Sequence, residues 1–195
     1  TETATGSVTS DTLSVTGASV GTAASPLAVT LAHDGDLTVD ATGNGGSVYL
    51  ALASGATVGA VTAGTPSAPG DVVLSAQGSL TGQGEIDGAD ITLSSTQGAI
   101  GSTTSLLQID VEGGILDAHA HGDIGLWQRN DRLALDSVVS DTGDVTLDAD
   151  AGVYDAAERT SASVLSADQV QAVWERLHLT ENTGADDDAQ LSVTA

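Results

Sequence analysis

The chain has 195 residues, with 27 acidic against four basic side chains, a formal charge of −23 at pH 7, and no Cys, Met or Phe. That balance excludes attachment to nucleic acid or an anionic membrane through a basic footprint. With only two Trp and two Tyr, a core must be built from Val, Leu, Ile and Ala, which suits narrow stacked aliphatic ladders better than an aromatic-rich globule.

No apolar run is long enough to cross a bilayer as a helix. Without Cys, a secreted chain of this length needs a source of stability other than disulfides. Thr1 is not an initiator residue and no leader is visible, so both ends are expected to be internal to a longer chain.

From the N-terminus onward one short unit recurs: a turn residue, usually an Asp, then alternating apolar and polar residues. Gly35–Ala41 (Gly-Asp-Leu-Thr-Val-Asp-Ala), Gly46–Ala51, Gly70–Gly78, Ala89–Ser94, Gly122–Leu126 and Gly143–Ala149 all follow it. In Gly70–Gly78, Val72, Leu74 and Ala76 share one face, and Val73, Ser75 and Gln77 share the other. A period of two between turn signals predicts half-buried β-strands.

A longer repeat overlies the short one. Ser19-Val20-Gly21-Thr22 through Val29 is echoed by Ala99-Ile100-Gly101-Ser102 through Ile109, an offset of 80. Val48 and Leu50 match Ile124 and Leu126, Val58 matches Leu135, and Val72 matches Val145, as the offset shrinks toward 73. Small deletions in turns account for the drift. Residues 1–77 and 78–152 therefore read as two copies of one unit. A closed sandwich has no reason to repeat end to end, whereas a solenoid does, because each coil touches only its neighbours. The expected fold is all-β, a parallel β-helix with about 20 residues and roughly 4.8 Å of rise per coil. The chain would then hold on the order of eight coils and reach about 40 Å.

The β-helix is expected over residues 1–163. A helical insertion is expected over 164–179. Ser166 and Gln169 have capping-box spacing, and Val170, Val173, Trp174 and Leu177 fall on one helical face. That stripe would pack on the β-helix flank or cap an end; a docking site for a partner is the sharper alternative. Over 180–195 an acidic loop, Thr183–Asp188, precedes a resumed strand, Gln190–Thr194.

The alternation of Gly-Asp-Val-Thr-Leu-Asp-Ala units with Ile-Gly-Ser-Thr-Thr-Ser-Leu-Leu units, over most of residues 6–153, resembles the repeat region of filamentous-haemagglutinin-like large bacterial exoproteins. The resemblance implies a right-handed β-helical shaft, export to the cell surface, and a role in adhesion or biofilm. The secretion domain that begins such proteins is not among these residues.

Candidate chemistry is sparse. Asp117, His119, His121 and Asp123 would share a face of an extended strand, and His with carboxylate suits zinc. Against that, Ile115 and Ile124 lie on opposite parities, so the strand must bend between them, and a solvated corner accounts for the segment. Asp186, Asp187 and Asp188 could meet calcium but lack the spaced acids and distal Glu of a calcium loop. Asp36, Asp71, Asp90, Asp123 and Asp144 would form one ladder of corner acids if they recur at equivalent turns, a source of weak Ca²⁺ binding. Trp127-Gln-Arg129-Asn-Asp131-Arg132 is the one locally basic, aromatic spot; it reads as a salt-bridged turn, or as a place where a sugar could stack. There is no Cys nucleophile, no Gly-x-Ser-x-Gly elbow and no phosphate loop, and Gly43–Gly46 is a turn. No catalytic, cofactor or metal residue is assigned, and no enzyme activity. The function expected is a structural segment of a secreted or surface-exposed adhesin. The alternatives are a fibre-forming subunit and a glycan-binding or glycan-cleaving β-helix. The partners expected are a host or neighbouring-cell surface, a glycan, or the chain itself.

Overall fold

A computed structural model describes residues 7–156 and 191–194. In chain order the strands are β1 (Ser7–Gly17), β2 (Leu27–Ala41), β3 (Val48–Leu52), β4 (Ala56–Thr65), β5 (Ala68–Pro69), β6 (Val72–Ala76), β7 (Leu80–Thr81) and β8 (Glu85–Gly88). They continue with β9 (Ile91–Ser95), β10 (Leu107–Val111), β11 (Leu116–Ala120), β12 (Ile124–Gln128), β13 (Leu133–Ser140), β14 (Val145–Ala149), β15 (Val153–Asp155) and β16 (Leu191–Thr194). Apart from the β4·β5 hairpin, every strand pairing is parallel. The fold is a β-solenoid of about seven turns, as the repeated strand predicts.

The parallel ladder has two flanks. One runs β3-β6-β9-β11-β13-β15 and the other β4-β8-β10-β12-β14-β16. The chain visits them alternately, so each coil is one strand on each flank. The long strands β1 and β2 serve both flanks and join them into one sheet. Where β2 passes from one flank to the other, its register against β1 shifts, and His33 and Asp34 take left-handed φ values of 55° and 53°. Such a conformation is uncommon without glycine, and Gly35 follows at once.

Equivalent apolar residues stack. On the first flank, Val48, Val72, Ile91, Leu116 and Leu135 form one column. On the second, Val39, Val61, Ile86 and Ile109 form another. All nine are buried. Among the described residues the buried hydrophobic core contains only Val, Leu, Ile and Ala, as composition required. Coils on the first flank are 24, 19, 25 and 19 residues long by this register. Long and short coils alternate, and the mean exceeds 20, which accounts for seven turns where about eight are expected.

The offset of 80 has a structural meaning. Val20 bridges to Val48 on the first flank, whereas Ile100 bridges to Leu80 and Ile124 on the second. Val48 and its match Ile124 lie on opposite flanks, as do Val72 and Val145. The longer repeat therefore spans a half-integral number of coils, and its second copy faces the other way.

The local geometry of the repeat is retained despite the swap. Thr22 and Ser25 exchange backbone hydrogen bonds at 3.1 and 3.0 Å, and Ser102 and Ser105 do so at 3.0 and 3.3 Å. Each closes a small outward arc that begins at a left-handed glycine, Gly21 or Gly101, with φ of 68° and 64°. A Cβ on Gly21 would lie 2.3 Å from the Tyr49 carbonyl oxygen, and one on Gly101 2.1 Å from that of Gly125. Only glycine fits where the backbone of the next coil comes this close.

Among the described residues three polar side chains are buried, Ser95, Gln128 and Ser140. Ser95 donates to the Gly78 carbonyl at 2.8 Å and accepts from Gly98 N–H at 3.1 Å. Ser140 does the same with Gly122 and Gly143, at 2.9 Å each. Both close a Ser-x-x-Gly corner. Gln128 stands in the column of Ile109 and Ala149. Its Oε1 accepts from Val111 N–H at 3.0 Å, and so satisfies an amide beyond the last paired residue of β12.

The resumed strand is present as β16, in parallel register with β14, Leu191 beside Val145 and Val193 beside Leu147. The helix expected over 164–179 and the acidic loop with Asp186, Asp187 and Asp188 lie outside the described residues.

Candidate functional surfaces

The corner acids act first on the backbone. At the turn into the first flank, Ser19 Oγ accepts from Ser47 N–H (3.3 Å), Ser47 Oγ from Asp71 N–H (3.1 Å), and Asp90 Oδ1 from Ile115 N–H (3.0 Å). At the opposite turn, Asp34 Oδ1 accepts from Gly55 N–H (3.0 Å), Ser79 Oγ from Ala99 N–H (3.1 Å), and Asp123 Oδ1 from Asp144 N–H (3.0 Å). Each oxygen caps the amide one coil further on, just before the chain enters the ladder. This explains why Asp and Ser interchange at that place in the repeat. The single ladder of five acids expected from sequence is not formed. Asp71 and Asp90 share one turn, Asp123 and Asp144 share the other, and Asp36 lies within β2 opposite Thr57.

A second acidic group lies on the outer face of the second flank. Asp87 pairs with Asp110, and Glu85 with Gln108, across β8 and β10. Burial, then the charges of Glu112, Asp110 and Glu85, push the Asp87 carboxyl up to about 6. Burial and the neighbouring Asp110 and Asp131 also raise Glu112. The Asp110 carboxylate accepts from Gln128 Nε2 at 3.2 Å and from Asn130 Nδ2.

The Trp127–Arg132 segment borders this group. Arg129 does not pair with its sequence neighbour Asp131. Its Nη1 donates to both Glu85 oxygens, at 3.0 and 3.3 Å, from two strands away. Arg132 stacks over the Tyr154 ring at 4.8 Å. Trp127 is half-buried, and its Nε1 donates to Asp150 Oδ1 at 3.0 Å. Coil stacking brings these partners together across 22 to 44 residues, which a local reading of the hexapeptide cannot see.

The segment around His119 is divided. Asp117, His119 and Ala120 lie in β11, whereas His121 and Asp123 belong to the turn that follows. Asp123 is engaged in its amide cap. Asp117 is half-buried, and burial followed by the Asp136 charge raises its carboxyl. The two imidazoles converge instead on Asp141, after β13. His119 Nε2 is 3.0 Å from Oδ1, and His121 Nδ1 is 3.6 Å from Oδ2. Hydrogen bonding from His119 draws the Asp141 carboxyl below the usual carboxylate range. Sequence reasoning missed Asp141; its one signal is the Ser-x-x-Gly corner, which places residue 141 on the turn above residue 120.

A cleft of about 330 Å³ beside β1 is lined by Val15, Gly17, Val20, Pro26 and Leu27 among others. Among the described residues no helix is long and apolar enough to cross a membrane. Comparison with family models, with curated proteins and with solved structures finds no match for this chain.

Proposed function

We propose that the chain is a structural segment of a secreted or surface-exposed bacterial adhesin, a stiff β-helical shaft that supports adhesion or biofilm formation. One observation carries this reading: strand after strand continues the same parallel ladder. Trp127, Arg129 and the capping acids Asp34, Asp90 and Asp123 are engaged with protein partners, which favours a load-transmitting role over capture of a ligand. The fold class also accords with the haemagglutinin-like repeat pattern of the sequence. The setting proposed is the bacterial cell surface, facing a host or a neighbouring cell.

A test is to place the chain as a spacer beneath a known binding head on a bacterial surface. Adhesion should depend on its presence and length, and not on Trp127 or Arg129. Retention of a glycan by the isolated chain, abolished by Trp127→Ala, would replace the shaft with a glycan-binding reading.

The fibre alternative draws on one further feature. β1 has no strand beyond it among the described residues, and Val8 on it is 38% exposed. A β-helix end left uncapped is an open sheet edge and invites strand addition. Light scattering that reports a monomer at high protein concentration would count against that alternative.

A further inference from the structure

The last described strand repeats the first. β1 contains Leu13-Ser14-Val15-Thr16, and β16 is Leu191-Ser192-Val193-Thr194. Thr5-Gly6 and Thr183-Gly184 precede the two tetrapeptides at the same distance. Both tetrapeptides lie on the second flank, and each pairs in parallel with a strand of one pattern. Leu13 to Thr16 stand beside Leu37-Thr38-Val39-Asp40, and Leu191 to Thr194 beside Val145-Thr146-Leu147-Asp148. The two use opposite edges. β1 has its neighbour on the side of the later coils, and β16 on the side of the earlier ones. A strand of this sequence therefore accepts such a partner along either edge, and at each end of the solenoid one edge is open among the described residues.

The first coil lacks cover. Leu13, Val15 and Leu27 are only partly buried, and Val15 and Leu27 line the cleft of about 330 Å³ with Val20 and Pro26. The second copy of the long repeat shows what is missing there. Ile100, the match of Val20, is bridged on one side by Leu80 and on the other by Ile124, and is fully buried. Among the described residues Val20 is bridged by Val48 alone. Charge selects the occupant. The chain carries a formal charge of −23, yet β1 has one acid, Asp11, in 11 residues and β16 has none. Side-by-side approach of two chains opposes like charges, whereas end-on approach brings together two strands nearly free of charge.

We propose that a second copy of this chain covers the open end, β16 of one copy continuing the parallel ladder onto β1 of the next. This deepens the fibre alternative and rests on it. Register sets the alignment. One column runs from Val15 through Val61 and Ile109 to Ala149. Two residues before it stand Leu13 in the first strand and, in the last coils, Leu147 with its partner Val193. Carried from chain to chain, the ladder places Val193 opposite Leu13 and Thr194 opposite Ser14. The contact joins unlike ends, so it is heterologous and repeats without closing.

Disulfide cross-linking of the intact chain tests this. The chain has no Cys, so introduced thiols report alone. Ser14→Cys combined with Thr194→Cys sets two thiols across the contact, on strands about 4.8 Å apart and within disulfide reach. Within one chain the two positions are separated by roughly 34 Å of stacked strands and cannot close on themselves. Oxidation at high protein concentration is expected to give a ladder of dimers, trimers and longer species. Either single variant stops at dimer, because one thiol links only two chains. Sedimentation of the unaltered chain should show association that strengthens with NaCl, which screens the acidic bodies and leaves the contact intact. If unaltered chains associate while the double variant yields nothing beyond dimer, this contact is overturned and the fibre alternative stands. If unaltered chains stay monomeric at every salt concentration, both fall. Association that weakens with salt would also overturn the inference, since it would belong to charged groups.

Discussion

The two flanks share an interior and differ outside. Inward, both present aliphatic columns of the same kind. Outward, the first flank presents Tyr49, Val73 and Thr92 in one row, and Ala51, Ser75 and Ser94 in the next, and ionisable side chains follow at Asp117, His119 and Asp136. The second flank presents Asp40, Thr62, Asp87 and Asp110 in one row, and Glu85, Gln108, Trp127 and Asp148 in another. The difference teaches that the ladder constrains only every second residue. The alternate positions are free to vary, and on one flank they have concentrated carboxylates, whose charges add to burial in pushing the Asp87 carboxyl up to about 6.

The largest expected effect sharpens the similarity. Leu74→Ala on the first flank and Leu126→Ala on the second remove fully buried side chains and should each cost about 2–5 kcal/mol in urea unfolding. If one is neutral, the two interiors are not equivalent. Next come the arcs. Gly101→Ala places a Cβ 2.1 Å from the Gly125 carbonyl oxygen, whereas Gly45, also left-handed, has open space around it. Both substitutions incur the left-handed penalty of about 1–2 kcal/mol. Gly101→Ala must exceed Gly45→Ala, and equal losses would mean the arc yields freely.

Asp87 tests the difference between the outer faces. Its folded-state pKa lies above the ordinary carboxylate value of 3.8, so the fold favours the protonated form. That contribution is whole below the ordinary value and is lost as pH rises through about 6. Asp87→Asn should therefore stabilise the chain at pH 7, by about 1 kcal/mol once solvent screening is allowed for, and leave it unchanged near pH 3. A thermal-melt series across pH reads this directly. Asp36→Asn on the same flank lacks that neighbourhood and serves as the reference. The smallest effect is Arg129→Ala, which breaks a partly exposed ion pair with Glu85 and should cost no more than about 1 kcal/mol, less in high salt.

Much of the fold was legible because alternation reports directly on a half-buried strand. Val72, Leu74 and Ala76 are buried as read, and Val73, Ser75 and Gln77 are not. The two-copy repeat was legible as well, yet its half-turn was not. An offset of 80 does not reveal how many coils it contains when coils alternate between 24 and 19 residues. The candidate sites were less legible. His119 and His121 stand out in the sequence, but their carboxylate partner is 22 and 20 residues away on the next coil.

By itself, the sequence determined the class of fold, the aliphatic makeup of the core and the places where the chain turns, because periodicity and turn chemistry act over a few residues. Tertiary structure alone decided which residues stack. Register sets Arg129 on Glu85, Asp141 between two imidazoles, and Gln128 under the Val111 amide. Register depends on how many residues each corner absorbs, and corners of different length share the same Gly, Asp and Ser vocabulary. Contacts between coils therefore follow from summed corner lengths, a quantity no local pattern carries.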